Sequence, residues 1–169
     1  VLELSRIIAG AGDSLELVVG ANAVQLDTGD ILFTTKLIDG KFPDYQRVIP
    51  DQERVEKIIL ADRELLRQSL QRAAILSNEK YRAVRLCLAP GQMTVIASNP
   101  EQEEAEENIA IEYSGPAMEI GFNVGYLIDV LNAVGEDRVQ MTLGDPNSSA
   151  LMEEPGGGDA LYVVMPMRL

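Results

Sequence analysis

One structural unit recurs along this chain of 169 residues, and it limits the fold more than any other feature. The unit is an amphipathic helix followed by three short strands, and the helices are predicted to begin near residues 3, 62 and 124. Turn residues separate the apolar, β-branched runs, which is typical of antiparallel strands joined by hairpins. Such a period, without obvious sequence identity between the copies, indicates duplicated half-domains. The predicted fold class is therefore α+β, built from duplicated helix-plus-antiparallel-strand units.

The second and third helices carry the clearest local signals. Asp62 and Asn123 stand where N-cap residues are expected, because their side-chain oxygens can accept hydrogen bonds from the free N–H groups of a first turn. The apolar stripe of the second helix predicts its buried residues as Leu65, Leu66, Ser69, Leu70, Ala73 and Ala74. In this half of the chain, strands are predicted over 55–60, 82–88, 93–98, 109–113, 118–122, 138–143, 149–153 and 160–165.

Residues 39–50 show neither a helical nor a strand period and contain two prolines, so we interpret them as an interdomain connector. The chain opens inside an amphipathic helix without a methionine, and we expect a fragment that starts within a domain. We predict a domain boundary after residue 48. Residues 1–48 then form half of one domain, and residues 49–169 form a complete domain of two units.

Composition excludes several classes of function. The chain has no histidine, which excludes His-based metal sites, Ser-His-Asp triads and Cys-His dyads. Cys87 is the single cysteine, which excludes a disulfide framework and either fits a reducing cytoplasm or leaves the compartment open. No apolar run approaches the ~18 residues that a membrane-spanning helix needs.

The charge is strongly acidic overall but unevenly distributed. The net charge of −13 argues against a simple nucleic-acid binder, since phosphate contacts need Lys and Arg. Residues 54–85 nevertheless carry eight basic and four acidic side chains. Arg63, Arg67 and Gln71 fall on one face of the second helix, either as a solvated surface or as a surface for phosphate contact without base recognition.

The most acidic stretch, residues 101–107, has five carboxylates. It is interpretable as a solvated surface, as an edge that meets a basic partner, or as a metal site. The last interpretation supports an alternative function, a carboxylate-dependent metal-using enzyme. Glu112 with Glu119, or Asp145 with Glu153, are further carboxylate pairs that such an enzyme could use, although no spacing requires them to meet.

The C-terminal residues 162–169 are mostly apolar, whereas chain ends are usually polar and frayed. An apolar end either packs on its own core or contributes to a groove for a partner, and its methionines suit an adaptable binding surface.

Five segments closely resemble the bacterial DNA polymerase III β subunit family, the sliding clamps: residues 42–45, 73–80, 99–107, 121–124 and 162–169. The resemblance covers essentially the whole chain in order, and it corresponds to the second half of the middle domain followed by the third domain. It implies a sliding-clamp fold and a processivity factor without catalytic activity or cofactor. The family's ring is a homodimer that encircles double-stranded DNA without sequence specificity.

By the same resemblance, we expect a cytoplasmic protein at replication forks. Its partners are replicative and translesion DNA polymerases, the clamp loader, and mismatch-repair and ligase proteins, which bind through short linear motifs. Arg63, Arg67 and Gln71 become the residues that face DNA. On the face of the third helix that corresponds to Arg63, Arg67 and Gln71, the chain has Asp129 and Asn132 but no basic residue.

The family's peptide-binding cleft lies at the junction of the middle and third domains. The resemblance places it here at Pro43, Arg47, Val48, Tyr81, Asn123, Tyr126, Ser149, Val163, Val164, Met165, Pro166, Met167 and Arg168. Apolar walls of this kind bury a Leu or Phe anchor, while the arginines and Asn123 orient the polar groups of a peptide. Asn147 stands where the family commonly has an apolar residue.

The resemblance also implies a subunit interface, with apolar anchors from Ile75 and Leu76 and an acidic strand that faces a basic first domain of the neighbour. The acidic members are Glu101, Glu103, Glu104, Glu106 and Glu107. Because we expect the first domain to be absent from this chain, we expect the chain alone not to close a ring.

Overall fold

The structure, a computed structural model, describes residues 2–11, 14–42, 44–49, 57–158 and 160–168. The chain separates into two compact units, Val1–Pro43 and Asp44–Leu169. Within the described ranges, no helix is long and apolar enough to cross a membrane. The domain boundary after residue 48 remains a prediction about the complete domains.

The first unit contains one helix and a small antiparallel sheet. Its elements are α1 (Leu2–Ala9), β1 (Glu16–Val19), β2 (Ala23–Asp27) and β3 (Leu32–Lys36), and the strand order is β1-β2-β3. Leu26 on the central strand is buried, whereas the side chains of β1 are exposed. The predicted succession of a helix and three antiparallel strands is confirmed.

The second unit contains two copies of a strand, a helix and three further strands. The first copy comprises β4 (Lys57–Asp62), α2 (Arg63–Ile75), β5 (Ala83–Ala89), β6 (Gln92–Ser98) and β7 (Glu104–Ala110). The second copy comprises β8 (Met118–Asn123), α3 (Val124–Ala133), β9 (Arg138–Leu143), β10 (Ala150–Glu153) and β11 (Tyr162–Val164). The α+β class and the repeated unit are therefore both confirmed.

The two copies exchange their first strands. One sheet has the order β11-β10-β9-β4 and the other β7-β6-β5-β8, so β4 completes the sheet of the second copy and β8 completes that of the first. Isolated bridges, Leu60 with Glu112 and Gly121 with Met167, lie on the outer edges of the two exchanged strands. Neither four-stranded sheet can form from one copy alone, because each takes an edge strand from the other.

Both helices begin as predicted. The Asp62 carboxylate accepts a hydrogen bond from the Leu65 N–H at 2.8 Å, and the Asn123 side-chain oxygen accepts one from the Gly125 N–H at 2.8 Å. Each cap satisfies an N–H group that has no partner within its helix.

The first helical residue of each helix then bonds to the other copy. The Arg63 N–H donates to the Asp137 carbonyl at 2.9 Å, and the Val124 N–H donates to the Arg82 carbonyl at 2.8 Å. The start of each helix is thus attached to the residue before a strand of the opposite copy.

The core of the second unit combines one face of each helix with the inner faces of the sheets. Leu66 and Leu70 on α2 and Leu127 and Leu131 on α3 are fully buried. The prediction that Leu65 is buried is wrong, because its side chain is 55% exposed. A helix turns about 100° per residue, so Leu65 lies beside the packed face that Leu66 occupies.

The predicted strand over 109–113 is also misplaced, since β7 spans Glu104–Ala110. Its backbone pairs with β6 in continuous register, from Ser98 opposite Glu104 to Gln92 opposite Ala110. Much of the acidic stretch is therefore strand, with most of its carboxylates on the exposed face.

Candidate functional site

The C-terminal segment runs from one sheet of the second unit to the other. Val164 on β11 is buried and pairs with Ala150 on β10. Beyond it, the Met167 N–H donates to the Gly121 carbonyl on β8 at 2.8 Å. The chain end therefore packs against its own fold, and it also borders a surface groove.

The groove along this segment has a volume of about 310 Å³ and is lined by Glu119, Ile120, Gly121, Pro146, Asn147, Met167 and Arg168. Met167 and Arg168 were predicted to lie here, whereas Glu119, Ile120 and Gly121 on β8 were not. Only the pairing of Met167 with Gly121 brings them together, and no side-chain pattern indicates that pairing.

The start of α3 forms a second part of the candidate site. The Asn123 side-chain amide donates to the Tyr81 carbonyl at 3.2 Å, so the N-cap residue also fixes the segment before β5. Tyr81 is 54% exposed and Tyr126, on the first turn of α3, is 61% exposed. Two aromatic side chains from different copies are thus presented near one helix terminus.

A third part comes from the segment before β4. Residues Tyr45–Arg47 form a short 3-10 helix, and the Val48 carbonyl after it accepts a hydrogen bond from the Ser149 hydroxyl. Because Ser149 immediately precedes β10, this bond holds Val48 beside the sheet that carries β11. The Arg47 side chain is exposed and lies 3.5 Å from the Asp44 carboxylate.

Exposure differs among the predicted cleft residues. Met165 is 59% exposed, although it immediately follows buried Val164. Val163, Pro166 and Met167 are half-buried, Ser149 is buried, and Arg168 is exposed. Pro43 lies outside the described residues. The geometry therefore provides exposed apolar groups on a rigidly bonded frame, which is the kind of surface that binds short peptides.

The residues predicted to face DNA lie on α2, and two of them are already engaged. The Arg63 guanidinium donates to the Glu136 carbonyl at 2.8 Å and to the Leu131 carbonyl at 3.1 Å. The Arg67 guanidinium binds both carboxylate oxygens of Glu64, at 2.9 and 2.6 Å. Gln71 is exposed.

The ion pair on this face strongly affects the titration of Glu64. Hydrogen bonds from Arg67, and then from Gln68, lower the pKa of Glu64 to about 2. Glu64 thus stays ionised and neutralises Arg67 at any ordinary pH.

The predicted interface residues surround the C-terminal end of α2. Ile75 is 80% exposed and lines a cavity of about 500 Å³ together with Ser77, Asn78, Glu79, Lys80, Asn99, Pro100 and Glu101. Glu101, Glu103, Glu104 and Glu106 are exposed, and Leu76 is half-buried. Exposed isoleucine beside several carboxylates suits a partner surface with an apolar centre and a basic rim.

Glu107 differs from the other predicted interface acids. Both of its carboxylate oxygens accept hydrogen bonds from Arg72 on α2, at 2.8 and 2.7 Å. This contact with Arg72 holds the pKa of Glu107 below its ordinary value. Glu107 therefore links α2 to β7 within this chain.

The described residues do not support the alternative function, a carboxylate-dependent metal-using enzyme. Among the residues that the structure describes, no three Asp, Glu or Cys side chains converge to hold a metal ion. Burial, and then the charge of Glu119, raise the pKa of the Cys87 thiol, which disfavours the reactive thiolate.

Comparison with protein families gives matches to two consecutive family models. Residues 46–168 match the C-terminal domain of the DNA polymerase III beta subunit, and residues 1–44 match its central domain. The chain belongs to the DNA polymerase III beta subunit family. The resemblance found in the sequence is thereby confirmed.

Individual members of the beta subunit family are similar to this chain over essentially its whole length. The Beta sliding clamp of Pseudomonas putida is 51% identical over 169 residues, which are 100% of this chain and 46% of that protein. The Caulobacter crescentus pol III beta structure has a TM-score of 0.86 and 36% identity, over 99% of this chain and 45% of the other. A sliding clamp from Pseudomonas aeruginosa bound to griselimycin has a TM-score of 0.81 and 50% identity, again over 99% and 45%.

These comparisons establish the sliding-clamp fold for this chain. The chain spans about half the length of the curated relatives it matches.

Proposed function

We propose that this protein is a DNA polymerase processivity factor, a non-catalytic sliding clamp that encircles duplex DNA and tethers the polymerase. The observation that carries the proposal is the agreement of fold and sequence with sliding clamps over 99% of the chain, at 50% identity for the Pseudomonas aeruginosa protein. An acidic exterior is compatible with this function, because a ring contacts DNA only through its inner wall.

The cleft of the proposed clamp receives short linear motifs from its partners. Tyr81, Tyr126 and Met165 supply exposed apolar surface, and hydrogen bonds from Asn123, Ser149 and Met167 fix the segments around it. Such a preformed frame reduces the entropy lost when a peptide binds. The proposed partners are replicative and translesion polymerases, the clamp loader, and mismatch-repair and ligase proteins.

Helix α2 faces the DNA in this proposal. Arg63 donates to backbone carbonyls and Arg67 is paired with Glu64, so few unpaired cations are available to phosphate. Contact through paired or water-separated charges is weak and independent of sequence, which suits a clamp that must slide.

Two copies of the complete protein form the proposed ring. Ile75 and Leu76 supply its apolar anchors, and Glu101, Glu103, Glu104 and Glu106 meet a basic surface of the neighbour. Glu107 belongs to the same acidic edge, but its pairing with Arg72 gives it a supporting role. The proposed location is the cytoplasm, at replication forks on the nucleoid.

The experiment that tests the proposal is a titration of the chain with a labelled Gln-Leu-x-Leu-Phe peptide, followed by fluorescence anisotropy. We expect saturable binding that Met165→Ala weakens about fivefold or more, since truncating a hot-spot residue at the centre of an interface costs more than ~1 kcal/mol.

Leu161→Ala is the matched control. Leu161 is also an exposed apolar residue, at 51%, but it precedes β11 and is not part of the predicted cleft. Equal loss of affinity in both variants, or no binding by the folded chain, would contradict the proposed function.

A further inference from the structure

Two basic side chains, Lys80 and Arg82, flank Tyr81 and, among the described residues, lack the carboxylate partner that several cations of the second unit have. Most described cations there have a clear acceptor: Arg47 with Asp44, Lys57 with the Gly144 carbonyl, Arg63 with two carbonyls, Arg67 with Glu64, Arg72 with Glu107, Arg85 with Glu119, and Arg138 with Glu112. The three other described cations of this unit, Lys80, Arg82 and the exposed Arg168, form no ion pair with any carboxylate of the described residues. Arg168 lines the groove beside the C-terminal segment, whereas Lys80 and Arg82 flank Tyr81 in the sequence.

Both cations are held beside the exposed aromatic residues of the cleft. The Lys80 ammonium lies 5.2 Å from the centre of the Tyr81 ring, within the range of a cation–π contact. The Arg82 guanidinium lies over the first turn of α3, 3.9 Å from where a Cβ on Gly125 would stand. Lys80 thus contacts Tyr81, and Arg82 lies at the helix turn that carries Tyr126.

The backbone at Arg82 has an unusual conformation that two hydrogen bonds hold in place. Its φ of +48° is a left-handed conformation that non-glycine residues seldom adopt. Two hydrogen bonds hold it there: the Arg82 N–H donates to the Asn78 carbonyl at 2.7 Å, and the Arg82 carbonyl accepts from Val124 at 2.8 Å. The backbone position of Arg82 is therefore fixed by the fold.

The helix beneath Arg82 adds to the positive potential. A helix N-terminus carries a partial positive charge, which first-turn carboxylates usually offset. On α2, the cap Asp62 and Glu64 provide that compensation, whereas α3 has a neutral Asn123 cap and no acidic residue in its first turn. Lys80, Arg82 and the first turn of α3 thus place positive charge near Tyr81 and Tyr126, with the exposed Glu79 as the adjoining carboxylate, on a molecule of net charge −13.

We propose that Lys80 and Arg82 form a cationic rim that makes the cleft select peptides with acidic residues beside their apolar anchors. The proposal rests on the proposed peptide-binding function and names its partner chemistry. Charge complementarity supports the proposal, because an acidic flank would meet cations here that have no carboxylate partner among the described residues, in a chain of net charge −13.

The test uses two pairs of labelled Gln-Leu-x-Leu-Phe peptides, with Asp-Asp or Asn-Asn placed either before or after the motif. Anisotropy titrations are run on the wild-type chain at low and high salt. We expect the acidic member of at least one pair to bind about 3- to 10-fold more tightly, as expected for one or two exposed charge pairs. That preference should shrink at high salt, because exposed pairs are screened.

The K80Q/R82Q double variant should lose most of the preference for acidic over neutral peptides, and the ratio of the two affinities is the readout. Arg138→Gln is the control, since it removes one positive charge from an exposed arginine at the start of β9 that is not part of the predicted cleft.

Three results would contradict the proposed cationic rim. They are equal binding of all peptides by the wild type, a preference of unchanged size in K80Q/R82Q, or an equal loss of the preference in Arg138→Gln. If the neutral peptides bind but no preference exists, only the rim fails. If no peptide binds, the proposed function fails with it.

Discussion

The Met167 N–H donates to the Gly121 carbonyl at 2.8 Å, and this contact joins the C-terminal segment to the edge strand of the opposite sheet. Met165 and Pro166 lie between this anchor and β11, so they are held at both ends. The position of the exposed Met165 side chain therefore depends on a backbone bond two residues away.

Met167→Pro removes the N–H and should detach this segment. We expect peptide affinity to fall about tenfold or more, because the cleft loses part of its frame. The free energy of unfolding should fall by only about 1 kcal/mol, the usual net contribution of one hydrogen bond. Peptide titration and urea denaturation measure the two effects.

Met167→Leu keeps the N–H and similar volume, so it should bind peptide like the wild type. A proline variant with unchanged peptide affinity would show that the Met167–Gly121 contact does not support the cleft.

The burial difference between two leucines on α2 gives a prediction for stability. Leu70 is fully buried, whereas Leu65 is 55% exposed. Leu70→Ala should destabilise the chain by about 2–5 kcal/mol, because it removes buried apolar contacts and leaves a cavity. Leu65→Ala should change the free energy of unfolding by less than about 0.5 kcal/mol. Similar losses in both variants would refute the described orientation of α2.

The Arg72–Glu107 contact predicts a pH-dependent stability. Because the pKa of Glu107 is lowered in the folded state, its contribution is present above the ordinary carboxyl pKa and is lost as the pH falls through the lowered value. At neutral pH, Glu107→Gln should cost up to about 1 kcal/mol, with the partial exposure of the pair limiting the effect.

The difference between wild type and Glu107→Gln should therefore shrink in acid, as measured by urea denaturation at several pH values. Glu104→Gln, an exposed glutamate on the same strand, serves as the control and should show little difference at any pH. A constant cost for Glu107→Gln from neutral to acid pH would rule out the ion pair as its source.

Glu64 provides a direct titration test. Its pKa of about 2 comes first from the hydrogen bonds that Arg67 donates, so Arg67→Gln should raise the pKa towards the ordinary glutamate value. Arg63→Gln should have a smaller effect, because Arg63 acts on Glu64 only through its more distant charge. NMR titration of the Glu64 carboxyl carbon distinguishes the two, and equal shifts would contradict the described pairing.

The sign of the Glu64 effect follows from its lowered pKa. Its pairing with Arg67 favours the folded state above the ordinary glutamate pKa, and this contribution disappears as the pH falls through about 2. Acidification towards pH 3 should therefore leave the pair largely intact.

Much of the local structure could be predicted because its causes are local. Asp62 and Asn123 cap their helices through hydrogen bonds to residues two or three positions away, so neighbouring sequence is enough to identify them. Leu65 was beyond such reasoning, since both it and Leu66 lie on the apolar side of α2. Packing against α3 and the sheet decided which of the two became buried.

The sequence by itself determined the repeated unit, the helix caps and the membership in the beta subunit family, because each depends on side chains in a fixed order along the chain. Only the tertiary structure decided that β4 and β8 each complete the sheet of the other copy, that Met167 pairs with Gly121, and that Lys80 and Arg82 have no carboxylate partner among the described residues. Strands pair through backbone N–H and carbonyl groups that nearly every residue carries. Side-chain identity therefore leaves the partner strand open, and the packing of the whole domain selects it.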